Sequence, residues 1–122
     1  MSLTARHLEA NGIPTVIIGS ARDIVEECGV PRFLFSDLPL GNPCGVPYDT
    51  GMQSAILRQA LDLLEQARYP RTTVQTPFRW SSDSWRANYM RVDDSNRATL
   101  AKLGDERRQQ QAARKATHAR TV

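Results

Sequence analysis

Two short apolar runs, Ile13–Ile18 and Val30–Ser36, constrain the fold more than any other feature of the chain. Both runs are rich in β-branched or aromatic residues, which favour strands, and one short helical segment separates them. A strand, a crossover helix and a second strand form a βαβ unit, which places the two strands side by side in parallel. The sequence therefore predicts an α/β fold with a partial parallel, Rossmann-like sheet.

Helices are predicted before and after the first of these strands. Residues 3–11 form a short helix that ends at Gly12, because glycine tolerates the left-handed conformation of a helix C-terminus. Ser20 is the expected N-cap of the crossover helix and Gly29 its end. The expected apolar face of this helix carries Ile24, Val25 and Cys28. Cys28 is accordingly predicted to be a core thiol.

A segment rich in proline and glycine, residues 36–49, follows the second strand and contains three Pro and two Gly. Such a composition suits neither helix nor strand, so it predicts an ordered loop at the carboxyl end of a parallel strand. Ligands of open α/β sheets bind at that position, and Asp37 is expected to point into the same cleft. Asp49 is expected to cap the amphipathic helix that runs from Thr50 to about Arg68.

The composition changes after Tyr69-Pro70. Residues 70–92 are predicted to form an extended arm whose aromatic side chains dock on a surface, with a short helix near its end. Residues 93–122 are predicted to form a basic, flexible tail with a frayed helix over 104–118. The aromatic side chains of the arm are Phe78, Trp80, Trp85 and Tyr89. Residues 1–69 are thus predicted to be the α/β domain or half-domain of the chain.

The formal net charge of +3 is divided unevenly. Residues 1–69 carry five Arg against eight Asp or Glu, whereas residues 70–122 carry eleven Lys or Arg against five Asp or Glu. The basic residues are spread through the tail without interleaved aromatics, so we interpret it as solvated and do not expect nucleic-acid binding. The sequence shows neither a bilayer-spanning apolar run nor a secretory signal, and we expect a reducing cytoplasm with Cys28 and Cys44 as thiols.

A sheet of two parallel strands is too small for a stable domain, because parallel sheets need strand neighbours and cover on both faces. The missing strands are expected to come from a second copy of the chain or from an upstream part of a longer α/β protein. We favour the upstream part, because the first helix opens the sequence with no strand before it.

General catalytic motifs do not occur in the sequence: it has no dinucleotide-binding glycine motif, no P-loop and no C-x-x-C, and its two His are far apart. We therefore predict no metal site and no cofactor. Cys44 lies in the turn Gly41-Asn42-Pro43-Cys44-Gly45, whose free backbone N–H groups would lower a thiol pKa or bind an anion. The alternative interpretation of Cys44 is a small packed residue.

Three parts of the sequence together resemble a known family. They are T-A-R-H-L-E-A-N-G-I-P-T-V at 4–16, L-P-L-G-N-P-C-G-V-P at 38–47 and the Leu-rich helix Ala55–Leu64. The chain resembles, over residues 4–68, the C-terminal end of the glycine/sarcosine/betaine and D-proline reductase family, the selenoprotein B group. The pairing of E-x-x-G-I-P-T-V with L-P-L-G-N-P-x-G-x-P is the most specific part of this resemblance.

The resemblance implies an oxidoreductase subunit in which a cysteine or selenocysteine attacks the Cα of an amino-acid substrate and cleaves its Cα–N bond, with thiols as reductant. Its nucleophile would precede the helix that matches residues 4–11, where this chain has no cysteine. Thr4, Arg6 and His7 would then lie near the nucleophile, and residues 41–45 would flank the substrate cleft. The implied partners are the upstream part of the same protein or other reductase subunits. The competing hypothesis is a non-catalytic interaction module completed by a partner or a second copy.

Overall fold

The computed structural model describes the backbone of residues 1–120 and the side chains of residues 1–115. The described residues form five helices and three strands. In chain order these are α1 Ser2–Ala10, β1 Ile17–Gly19, α2 Arg22–Glu27, β2 Arg32–Phe35, α3 Thr50–Gln66, β3 Thr72–Gln75, α4 Ser84–Asn88 and α5 Arg97–Arg120. The predicted α/β class is confirmed.

The sheet is parallel and has the strand order β1-β2-β3. Ile18 of β1 aligns with Leu34 of β2, and Leu34 aligns with Val74 of β3. The prediction of two strands is therefore incomplete, because residues 72–75 of the predicted arm form the third. Thr72, Thr73 and Val74 are β-branched, but so short a run after Tyr69-Pro70 carried too little apolar pattern to indicate a strand.

Helices cover both faces of this sheet. Phe33 packs with Val25 of α2 on one face, whereas Leu34 packs with Ile56, Ala60 and Leu63 of α3 on the other. The predicted amphipathic face of α3 is confirmed by this burial. The strands follow one another across the sheet in the order β1-β2-β3, but the helix that connects β1 to β2 and the helix that connects β2 to β3 lie on opposite faces. The two crossover connections therefore have opposite handedness. One of them departs from the usual right-handed connection.

The structure corrects three details around α2. Its N-cap is Ala21, and the hydroxyl of Ser20 makes no capping hydrogen bond, since it has no partner among the described residues. Ile24 is 63% exposed although it was predicted on the apolar face, because only Val25 of this short helix reaches the sheet. Cys28 is half-buried at the helix C-terminus and is not a fully buried core thiol. Gly29 ends the helix as predicted, with a φ of 69°.

The chain divides into two compact units, Met1–Arg86 and Ala87–Val122. In the second unit, α5 begins at Arg97 and is longer than the helix predicted over 104–118. Before it, the hydroxyl and amide of Ser95 donate to Asp93 and lower the pKa of its carboxyl. His118 lies in the part of α5 whose side chains are not described. The segments 1–69, 70–92 and 93–122, and the flexibility of the last, stay predictions.

Candidate functional site at the carboxyl edge of the sheet

A row of three hydroxyl groups lies directly beyond the three strands. Ser20 follows β1, Ser36 follows β2 and Thr76 follows β3. The backbone ladder continues by one step into this row: Ser36 N–H donates to Gly19 O at 2.9 Å, and Thr76 N–H donates to Phe35 O at 2.9 Å. The three residues are therefore neighbours in register at the carboxyl edge of the sheet.

All three hydroxyls are on the side of the sheet that α3 covers. Side chains alternate between the faces of a strand, so residues two positions beyond Ile18, Leu34 and Val74 share their face. Ser36 is 0% and Thr76 3% exposed, and the oxygen of each of the three hydroxyls is buried without a hydrogen-bond partner. Buried polar groups are usually paired, so three such hydroxyls side by side make this edge the candidate site.

An ion pair ties the segment after β3 to the end of β2. Arg86 Nη2 lies 2.6 Å from Asp37 Oδ2, and Arg86 Nε lies 3.3 Å from Asp83 Oδ1. The hydrogen bond to Asp37 raises the pKa of Arg86 above its ordinary value, with a smaller contribution from Asp83. The guanidinium also lies over the Trp85 ring, 4.5 Å from its centroid. Asp37 thus does lie at this edge, paired with a residue that sequence reasoning did not single out.

A cavity of about 340 Å³ opens between these elements. Its lining includes Asp37, Thr76, Phe78, Arg79, Trp80 and Arg86. Phe78 and Trp80 are half-buried and pack against the hydrophobic core beneath α3, so these two aromatics of the predicted arm do dock on the folded chain. We refer to this space as the carboxyl-edge cavity.

The predicted loop 41–45 is a pair of tight turns beside α3. Asn42 N–H donates to Pro39 O at 3.0 Å, and Gly45 N–H donates to Asn42 O at 3.2 Å. Gly45 has a φ of 105° and is buried so closely against α3 that a Cβ would lie 3.0 Å from the Met52 sulfur. Cys44 between these turns is an exposed free thiol.

The start of α3 supports the same loop. Met52 N–H donates to Asp49 Oδ1 at 2.9 Å, which confirms Asp49 as the cap. The side-chain amide of Gln53 donates to Val46 O at 3.0 Å. Both contacts connect residues 46–49 to the first turn of α3 and hold the loop in one place.

The second predicted group, on α1, lies toward the opposite edge of the sheet. Arg6 Nη1 donates to Cys28 O at the end of α2, 3.3 Å away, and Glu9 forms an ion pair of 2.6 Å with Arg32 at the start of β2. Thr4 and His7 are exposed. No described contact joins these α1 residues to the loop 41–45, so the structure does not bring the two predicted groups together.

Sequence reasoning missed the hydroxyl row and Arg86. The first carries a weak signal, since each strand is followed at once by Ser or Thr, but small hydroxyl residues are common at strand ends. Arg86 carries no sequence signal, because it is one of fourteen arginines and its partner Asp37 is far away in the sequence. Among the described residues no cluster of His, Cys, Asp and Glu could hold a metal ion. None of the described helices is long and apolar enough to cross a membrane.

The parallel sheet and its polar carboxyl edge define an α/β protein with a ligand-type cleft at the strand ends. Within that class, the sequence is similar to the D-proline reductase subunit gamma of Acetoanaerobium sticklandii, with 31% identity over 78 residues. The match covers 64% of this chain and 32% of that subunit, so the chain spans about a third of the relative's length. No protein-family model and no solved structure matches the sequence. The similarity supports a proline/glycine-reductase-like family and does not extend to the selenoprotein B assignment.

Proposed function

We propose that the chain is part of a glycine/sarcosine/betaine/D-proline-reductase-like oxidoreductase subunit of the selenoprotein B type that acts on an amino-acid-like substrate. The observation that carries this proposal is the similarity to a D-proline reductase subunit. The carboxyl edge of the sheet is consistent with it, because a cavity lined by Asp37 and by the unpaired hydroxyl of Thr76 lies where open α/β sheets bind their ligands.

The proposed reaction is a reductive cleavage of the Cα–N bond. A thiolate or selenolate attacks Cα, the amine leaves with the bonding electron pair and takes up a proton, and a covalent Cα–S or Cα–Se intermediate forms. A thiol of the reductant then attacks this sulfur or selenium, and Cα takes up a proton. A second thiol closes the disulfide, so a dithiol supplies the two electrons in total.

The nucleophile is proposed to come from the upstream part of the same protein or from another subunit. The matched region is about a third of the relative. We propose that residues 41–45 flank the substrate and that Thr4, Arg6 and His7 lie on the side of the nucleophile. The α1 N-terminus would favour the thiolate or selenolate through its backbone N–H groups. Both cysteines are free, which is consistent with the cytoplasmic location that we propose.

Two steps test this proposal. The DNA immediately upstream of Met1 should encode a segment with a Cys or an in-frame UGA codon. The chain produced together with that segment should release amine from glycine, sarcosine or betaine, or open the ring of D-proline to 5-aminopentanoate, when a dithiol is present. It should consume one dithiol per Cα–N bond cleaved. The proposal fails if neither an upstream segment nor another subunit supplies such a Cys or selenocysteine, or if Cα–N cleavage does not depend on dithiol.

Cys44 provides an internal control in the same assay. It is an exposed thiol beside the proposed cleft, and we do not assign it the role of nucleophile. The variant Cys44→Ser should therefore retain dithiol-dependent amine release, whereas replacing the upstream Cys or selenocysteine by Ser should abolish it. If Cys44→Ser lost activity and the upstream variant did not, the attacking group would be Cys44 of this chain. That result would overturn the proposal that the nucleophile lies outside this chain.

A second candidate, a non-catalytic interaction module, is favoured by one specific observation. β3 is an edge strand, and Val74 on it and Tyr69 before it are 42% and 76% exposed. An open edge strand is a template for pairing with another chain. Light scattering on the purified chain separates the two functions: a stable, well-folded homo-oligomer favours this module, and an aggregating monomer favours a missing upstream part.

A further inference from the structure

We propose that a further strand, from the upstream part of the same protein, pairs with the outer edge of β1 and packs against three leucines of α3. These leucines, which we call the leucine flank, are Leu57, Leu61 and Leu64. The inference rests on the function proposed above in one respect, since it takes such an upstream part to exist. It assigns the surface on which that part docks.

The outer edge of β1 has unpaired backbone groups. β1 is the first strand of the sheet and pairs with β2 alone. Ser36 N–H donates to Gly19 O, and successive residues of a strand face opposite sides, so the N–H and C=O of Ile18 point away from β2. Among the described residues, no hydrogen bond from a loop reaches these two groups. An added strand would satisfy both of them.

The two flanks of α3 differ in polarity, and the difference favours this edge over the edge at β3. Asp62 and Gln66 lie on the flank toward β3, where they line a groove with Val74. Residues three and four apart share a face of a helix, so the leucine flank lies on the other side, toward β1. Leu57 and Leu61 are 54% and 52% exposed. The polar flank suits solvent, whereas the leucine flank suits an apolar neighbour.

The side chains of β1 connect the core to the leucine flank. Val16 and Ile18 pack against the core beneath α3 and are only half-buried. Neighbouring strands lie about 4.8 Å apart, so a strand outside β1 would bring its apolar side chains beside these two residues and beneath the leucine flank. That packing would remove from water an apolar surface that this chain exposes.

The connectivity favours an upstream strand as the occupant of this edge. α1 leads directly into β1, and successive parallel strands joined by a helix are commonly neighbours in a sheet. β2 already fills one side of β1, so a strand before α1 has the outer side available. The chain spans about a third of the related subunit, and a protein of that length has residues for such a strand. Because parallel strands end together, the residues that join it to α1 would lie at the carboxyl edge.

Hydrogen exchange on the protein produced with its upstream segment tests the inference. Thr72 and Thr76 N–H donate to β2, so the N–H of Thr73 points outward at the β3 edge and is the matched control. In the 122-residue chain alone, the protection factors of Ile18 and Thr73 should agree within about tenfold. With the upstream segment, Ile18 should be at least about 100-fold better protected than Thr73. An unchanged ratio, or protection of Thr73 in place of Ile18, would overturn the proposal.

Variants on the two flanks of α3 give a second measurement. In the longer protein, Leu61→Asp should lower the midpoint of thermal unfolding by about 8 °C, because it would bury a charge beside the added strand. In this chain alone, where Leu61 is exposed, the shift should stay below about 2 °C. Gln59→Asp, on the polar flank, should shift both proteins equally. Equal shifts of Leu61→Asp in the two proteins would show that nothing covers the leucine flank, and would refute the docking site.

The result can be separated from that of the proposed function. Dithiol-dependent Cα–N cleavage with an unprotected Ile18 would refute the docking site and leave the function in place. Protection of Ile18 without such cleavage would refute the function and leave the docking site. If the DNA before Met1 encodes no segment joined to this chain, the docking site is refuted, while the function holds where another subunit supplies the nucleophile.

Discussion

The two edges of the parallel sheet use polar residues in opposite ways. At the amino edge, Glu9 Oε1 accepts from Thr15 N–H at 2.5 Å, from Thr15 Oγ1 at 3.2 Å and from Arg32 Nη1 at 2.6 Å. At the carboxyl edge, the hydroxyls of Ser36 and Thr76 are buried without partners. Arg32 Nε is the exception at the amino edge, since it too is buried and unpaired.

This difference separates a structural edge from a ligand-type edge. Paired polar groups at the amino edge hold α1 to the start of β2 and contribute to stability. Unpaired groups at the carboxyl edge cost stability in the free protein and contribute only when something binds them. Polar networks can thus be assigned a role by asking whether their hydrogen bonds are complete. Four predictions compare the two edges.

The largest expected effect is on the loop at the carboxyl edge. Gly45→Ala should lower the free energy of unfolding by about 3 kcal/mol, since a φ of 105° strains any L-residue and the new Cβ meets Met52. Gly41→Ala is the matched control: its φ is 94° but nothing lies within 4 Å, so a loss of about 1 kcal/mol is expected. Urea unfolding measures both. Equal losses would show that the loop does not pack tightly on α3.

The next effect tests the amino edge. Glu9→Ala should lower the free energy of unfolding by about 2 kcal/mol, because the loss leaves Arg32 and the Thr15 amide without their charged partner. Glu27→Ala, at an exposed Glu in the last turn of α2, should be close to neutral. Both variants are measured by urea unfolding. If Glu9→Ala lost less free energy of unfolding than Glu27→Ala, the amino edge would have no structural role.

A smaller effect is expected from the ion pair that borders the cavity. Arg86→Gln should lower stability less than Glu9→Ala does, since Arg86 and Asp37 are 46% and 38% exposed and water screens them. The raised pKa of Arg86 adds stability at every pH below the ordinary pKa of arginine, and that contribution is lost only as the pH rises through the raised value. The loss should shrink in high salt. A salt-independent loss would indicate packing of Arg86 on Trp85 as the cause.

The smallest effect compares one substitution at both edges. Thr76→Val removes an unpaired hydroxyl and should change the free energy of unfolding by less than about 0.5 kcal/mol, or raise it. Thr15→Val removes a hydroxyl that contacts Glu9 and should lower it by about 1 kcal/mol. Thermal unfolding of the two variants decides the matter. A larger loss in Thr76→Val would mean that its hydroxyl is already paired, which would remove the contrast between the edges.

Local patterns predicted the elements far better than the contacts between them. The sequence correctly predicted three local features: Asp49 as a helix cap, Gly29 as a helix end and the buried face of α3. Each of them depends on residues that are neighbours in the sequence. The sequence did not predict β3 or the pairing of Asp37 with Arg86, because both depend on residues brought together from distant parts of the chain. Ser20 shows the limit of a local pattern: it is a favoured N-cap residue, but the N-cap of α2 is Ala21, one residue later.

The amino-acid sequence by itself determined the α/β class, the ordered loop after β2 and the likeness to reductases, because apolar periodicity, turn residues and motifs are local properties. The tertiary structure alone decided that α2 and α3 cover opposite faces of the sheet. It also placed Thr76 in the lining of the cavity and put Arg6 and Glu9 at the other edge. These outcomes depend on which strands pair and in which register, and backbone pairing carries no signature in any single segment.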